Sequence, residues 1–151
     1  MQGYAANTTF TMTLVSLAAD AAREGLLYDN TTNKYDDYQL EIGIAVNTPT
    51  TADQQGVYLY FAGDVDGTNF MSPCTGTDAA VTLGTHALPG IFMPIPVGTV
   101  FRYHVIPSIA QMFGGNLPIR CAIAIDNQTN GALWSTEANF KKNLRGIYVT
   151  T

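Results

Sequence analysis

Six consecutive residues, Asp64-Val65-Asp66-Gly67-Thr68-Asn69, carry carboxylate and amide oxygens at alternating positions, the ligand chemistry of a hard cation such as calcium. The spacing departs from an EF-hand loop: Gly67 comes too early, and the twelfth position counted from Asp64 is Thr75 where a closing Glu is needed. The segment reads as a hairpin turn, and no metal is expected on it. His86 and His104 are the only histidines, and neither stands at ligand spacing from another His, Cys or acid. Zinc needs three or four converging ligands, which this pattern does not supply. No serine sits in a nucleophile elbow. Asp29, Asp36, Asp37, Glu41 and Glu137 are the acids that could converge in the fold as a glycosidase-type pair, and their spacing leaves that open. The expectation is no catalytic residue, no cofactor and no enzyme. Tyr58, Tyr60, Tyr103 and Trp134 have flat faces suited to an interface or to stacking on a pyranose ring, and they are the candidate contact residues.

Cys74 lies in a Ser-Pro-Cys-Thr-Gly loop and Cys121 on an apolar strand face. A free, buried Cys121 is the default, and a bridge to Cys74, which needs Cα atoms within about 7 Å, stays open. The sequons at Asn7, Asn30 and Asn127 matter only in a eukaryotic secretory pathway, of which the sequence gives no sign.

These residues must be held by a chain of 151 residues, one domain by size, with a hydrophobic fraction of 46% but only 13% charged residues. That charged fraction is about half the typical ~25%, so the exterior must be largely neutral Thr, Asn, Gly, Ser and Tyr. Such a surface repels copies of itself weakly and suits a homo-oligomer. A net charge of −5 with seven basic residues argues against nucleic acid. Lys141, Lys142 and Arg145 read as a solvated turn before the last strand. The start lacks a basic leader, and no apolar run approaches about 18 residues, so synthesis in the cytoplasm and no membrane span are expected.

The period of the apolar residues is two rather than 3.6. Residues 56–70 form the strongest strand-and-turn signal, with Val57, Leu59 and Phe61 on one side and Tyr58, Tyr60 and Ala62 on the other. This predicts a central strand. Tyr38, Leu40, Ile42, Ile44 and Val46 share one face of the cleanest amphipathic strand, and the loop after it, residues 48–55, predicts an antiparallel pair with 56–63. Residues 1–9 read as an arm or lead-in, and residues 10–151 as a single β-sandwich domain. Phe10, Met12 and Leu14 alternate as a strand. Residues 16–24 have helical propensity, with Ser16 as cap and Gly25 as stop. Residues 71–78 read as an irregular connection that crosses between sheets. Three prolines in residues 89–98 confine that stretch to an edge.

Phe101, Tyr103 and Val105 are expected inward with Arg102 and His104 outward. Residues 108–113 read as a helical turn ended by Gly114-Gly115. Residues 118–126 form another amphipathic strand, 137–143 a polar connector, and 146–149 the last strand. About eight strands with turn signals between them give an all-β, antiparallel, jelly-roll-like β-sandwich with one or two helical turns.

Four segments together resemble small structural proteins of tailed-bacteriophage virions: the Asp29-Asn30-Thr31-Thr32-Asn33-Lys34-Tyr35-Asp36 turn, the hairpin from Tyr60 through Phe70, the Phe113-Gly114-Gly115-Asn116-Leu117-Pro118 bend and the Arg145-Gly146-Ile147-Tyr148 terminus. The resemblance runs along most of the chain, and its motifs are turns. It implies a head decoration, or cement, protein that forms a homotrimer on the capsid surface and braces the major capsid protein lattice. Two other roles stay open: a carbohydrate- or receptor-binding module on a tail or fibre, and a neck or tail completion protein.

Overall fold

The computed structural model describes residues 1–47, 55–84, 86–95 and 101–150. Along these the strands are β1 (Gln2–Tyr4), β2 (Thr8–Thr9), β3 (Ala21–Asp29), β4 (Asp37–Ile44), β5 (Gly56–Gly63), β6 (Ala79–Val81), β7 (Gly90–Pro94), β8 (Arg102–Ile106), β9 (Arg120–Gln128) and β10 (Lys141–Val149). Two antiparallel sheets pack face to face as an all-β sandwich. The first runs β1-β10-β4-β8, with β2 also on β10, and the second runs β6-β3-β9-β5-β7.

The core follows from alternation. Leu40, Ile42 and Ile44 of β4 face Val57, Leu59 and Phe61 of β5 and Cys121, Ile123 and Ile125 of β9, all fully buried in one cluster. Each such side chain contributes roughly 1.5–3 kcal/mol by leaving water. The strand β5 is central, between β9 and β7. The proline-bearing β7 is an edge, as its missing donors require. Residues 108–113 yield a short 3-10 turn at Ala110–Phe113, ended by Gly114.

Several expectations are corrected. Residues 16–24 are not helical: Ser16 and Asp20 take left-handed backbone angles (φ 54° and 57°), and Ala21 opens β3. Helical propensity yields here to pairing on both sides, because β3 lies between β6 and β9. The strands β4 and β5 do not pair with each other but lie in opposite sheets, so the chain between them changes sheet. Most of that connection, residues 48–54, lies outside the described residues. Residues 71–78, expected to cross between sheets, instead return over the outer face of the second sheet, since β5 before them and β6 after them both belong to it. The expected polar connector 137–143 is shorter. A single 3-10 turn at Glu137–Asn139 leads into β10, which already includes Lys141 and Lys142.

The orientation of β8 is also reversed. His104 pairs with the inward Ile42, while Tyr103 and Val105 pair with Gly43 and Glu41 on the outer face. Tyr103 is 69% exposed, its ring over Gly43 where an added Cβ would come within 2.6 Å of it. The glycine is therefore the seat of an outward tyrosine. The start of the segment expected to form this strand, Thr99 and Val100, lies outside the described residues, as do residues 96–98 of the proline-rich stretch.

Residues 1–9, read as an arm, lie along β10 through β1 and β2, and the Met1 amino group donates to the Thr150 carbonyl at 2.9 Å. Residues 10–14 alternate as expected, with Phe10, Met12 and Leu14 buried, but no strand is formed there. Side chains hold this segment instead. The Glu137 carboxylate accepts the Leu14 and Val15 amides at 2.7 and 2.6 Å, and the Lys142 ammonium donates to the Met12 carbonyl at 2.5 Å. Gly25 lets the segment cross β3, since a Cβ there would lie 2.6 Å from the Thr11 carbonyl oxygen.

Candidate functional site: the outer face of the second sheet

The candidate contact residues separate. Trp134 is half-buried against the core with its ring tilted at 60° to Phe101, the centroids 5.8 Å apart. Tyr103 lies on the outer face of the first sheet. Tyr58 and Tyr60 come together, two residues apart on the outer face of β5, with rings 5.8 Å apart and nearly parallel at 12°. Phe92 of β7 leans on Tyr58 at 4.8 Å, and His86 meets Tyr60 edge-on at 4.7 Å.

Register places this aromatic group beside polar side chains that the sequence did not single out. Tyr58 is directly opposite Asp126 of β9, and Asp126 is opposite Ala22 of β3. The Gln128 amide donates to Asp126 Oδ1 at 2.9 Å. Asp126, Gln128, Asp20, Ala22, Val81 and Leu83 line a groove of about 350 Å³. The rest of this face is covered: Leu88 and Cys74 bury Ala62, Ala122 and Ala124, with Tyr60 and Leu83 packed against them. The small alanines exist because the chain following β5 lies on top of them. Burial, then the charge of Asp126 and the neighbouring Tyr58, raises the Tyr60 phenol above its ordinary range.

Elsewhere the ionisable groups hold backbone. Glu24, buried on the same outer face, accepts the Thr75 and Gly76 amides at 2.6 and 3.0 Å and the Thr75 hydroxyl at 2.9 Å. Asp78 accepts from Arg23 Nε at 2.5 Å and from the Thr13 amide and hydroxyl. Partial burial works against its charge, but the Arg23 and Thr13 bonds outweigh it and hold the carboxyl down at about 2. Asp66 accepts the Thr68 and Asn69 amides at 2.8 and 2.6 Å, so the candidate calcium loop is a hairpin tip closed by its own carboxylate. Asn69 and then Thr68 lower the Asp66 pKa, and the Thr31 bonds do the same for Asp29.

The five acids considered for catalysis are each engaged by partners of their own. Asp29 bonds Thr31, Asp36 the Val149 amide, Asp37 the Tyr38 and Ala110 amides, Glu41 Asn143, and Glu137 the Leu14 turn with Lys142. No group of three or more His, Cys, Asp or Glu able to hold a metal occurs among the described residues. Lys142 is engaged by Glu137 and Arg145 by Gln39 and the Tyr4 ring, so the basic residues near the C-terminus are parts of a strand and not a turn.

Cys74 and Cys121 are both buried and free. Burial, then the nearby Glu24, pushes the Cys74 thiol up to about 12, and burial chiefly raises Cys121 as well. Both are thiols rather than thiolates at neutral pH, hence poor nucleophiles.

A second, smaller cavity of about 170 Å³ opens beside β2 where β3 ends and β4 begins, lined by Phe10, Leu27 and Leu144 and by Tyr28, Tyr35 and Tyr38. Tyr28 and Tyr38 stack on each other at 4.2 Å, and burial pushes Tyr38 up to about 12. Their faces close on one another rather than on a ligand.

No family model, no curated protein and no solved structure matches this chain.

Proposed function

We propose that the protein works by contact, as a structural protein of a tailed-bacteriophage virion: a head decoration protein that forms a trimer on the capsid and braces the major capsid protein lattice. The observation that carries this reading is the division of labour among side chains. Apart from Asp20, Glu41 and Asp126, the acids and thiols described above either fix backbone or lie buried, while the outer face of the first sheet presents Tyr103 and Val105 at 69% and 51% exposure. Exposed apolar side chains rimmed by polar ones are the usual composition of a protein interface. Kinship to jelly rolls, a capsid-surface location and synthesis in the host cytoplasm belong to the same proposal, and the net charge of −5 supports a protein partner over nucleic acid.

The test is direct. Purified protein is expected to run as a trimer by light scattering and to bind mature heads better than proheads. Quantitative mass measurement of virion proteins should give a copy number that scales with capsomers. A monomer without head affinity overturns the proposal, and a handful of copies per particle moves the protein to the neck or tail.

A further inference from the structure

We propose that the outer face of the second sheet binds a neutral oligosaccharide of hexose units, lying across the strands; this does not depend on the virion reading. Successive cross-strand pairs put Phe92, Tyr58, Asp126, Ala22 and Val81 in one row from β7 to β6. Four inter-strand steps make that row about 19 Å long. One end is aromatic. The other is the groove of about 350 Å³, walled by Leu83.

The chemistry of the row selects its occupant. Tyr58 is 36% exposed and Phe92 37%, so ring surface remains open for sugar C–H groups. Beside the rings, Asp126 keeps Oδ2 and Gln128 keeps Oε1 without a partner among the described residues. A carboxylate and an amide two residues apart on one strand face give adjacent acceptors for vicinal hydroxyls, while Ala22 and Val81 leave a flat, weakly apolar floor. No Lys or Arg lines the groove and both Asp20 and Asp126 do, so an anionic sugar or a phosphate is repelled. An extended peptide is a poorer fit: it adds along a strand edge, whereas this row runs across the strands, and the backbone beneath Ala22, Asp126 and Tyr58 is paired on both sides.

The experiment titrates the full chain with malto-oligosaccharide, cello-oligosaccharide and galactomannan fragments, with oligogalacturonate as the anionic arm, and follows backbone amide shifts. Binding of at least one neutral series at millimolar concentration is expected, with shifts confined to the neighbourhood of Ala22, Tyr58, Val81, Asp126 and Gln128. Tyr58→Ala should weaken it about tenfold, the scale of one lost aromatic contact. Asp126→Ala should weaken it too, while Tyr103→Ala, on the other sheet, leaves it unchanged. The spectra of the variants report their folding directly. The proposal is overturned by the absence of shifts with all three neutral series, by shifts centred elsewhere, by equal binding of oligogalacturonate, or by undiminished affinity in both groove variants.

Discussion

Asp78 shows how a single carboxylate ties separate segments together. It bonds Thr13 and Arg23 at once, joining residues 10–14, β3 and the start of β6. Its folded pKa of about 2 lies below the ordinary 3.8, so its contribution is fully present above pH 4 and is lost as the pH falls through 3 toward 2. A carbon-detected titration should place its midpoint near 2, and Asp78→Asn should flatten the acid limb of the stability profile. Glu24 has the same role on the outer face. Glu24→Ala leaves the Thr75 and Gly76 amides without their acceptor and should cost about 1–3 kcal/mol in a urea melt. It should also uncover Cys74, so the variant is expected to react with a thiol reagent under native conditions where the parent does not.

At the scale of elements, the inward Asn127 matters most. It is completely buried at the end of β9. Its amide donates to the carbonyls of Leu17, Ala18 and Gly131 at about 3 Å, and its Oδ1 accepts the Thr129 amide and hydroxyl. One side chain thus anchors both the turn before β3 and the turn after β9. Asn127→Ala should cost at least about 2–3 kcal/mol in a denaturant melt, because several buried polar groups lose their partner together.

The same region explains what was legible in the sequence. Residues 38–46 and 56–63 read correctly as strands because their apolar side chains recur at period two, a local property. Their pairing was misread because nothing local says which sheet a strand joins. Residues 16–24 were misread because alanine favours helices when isolated, whereas here Ala21 pairs with β9, Ala22 pairs with both β6 and β9, and Asn127 holds the preceding turn. Asp126 passed as the polar side of a strand, and Gln128 lay beyond the expected end of that strand at residue 126, whereas β9 runs on to include it. The signal that could have found them is the switch along β9's outer face from Ala122 and Ala124 to Asp126 and Gln128, which marks where the covering chain stops.

Across the whole molecule, stability rests on one apolar interior shared by both sheets. Phe61→Ala, at its centre, should lower stability by about 3–5 kcal/mol, read as a shifted urea midpoint with unchanged slope. The two faces that leave this interior differ. The first sheet shows solvent Tyr103 and Val105 on β8 and Tyr4, Tyr148 and Val149 on β1 and β10, and the second is mostly roofed by its own chain, with an aromatic strip and a groove left open.

Met1 and Thr150 exchange backbone hydrogen bonds at 2.9 and 2.8 Å at the margin of the first sheet. A few glycines linking these positions would close the backbone into a ring, and fresh termini could then be cut at the exposed hairpin tip between Asp66 and Gly67. Such a circular permutant should fold to the same sandwich, which would move any fused cargo to the opposite end of a strand without disturbing either face.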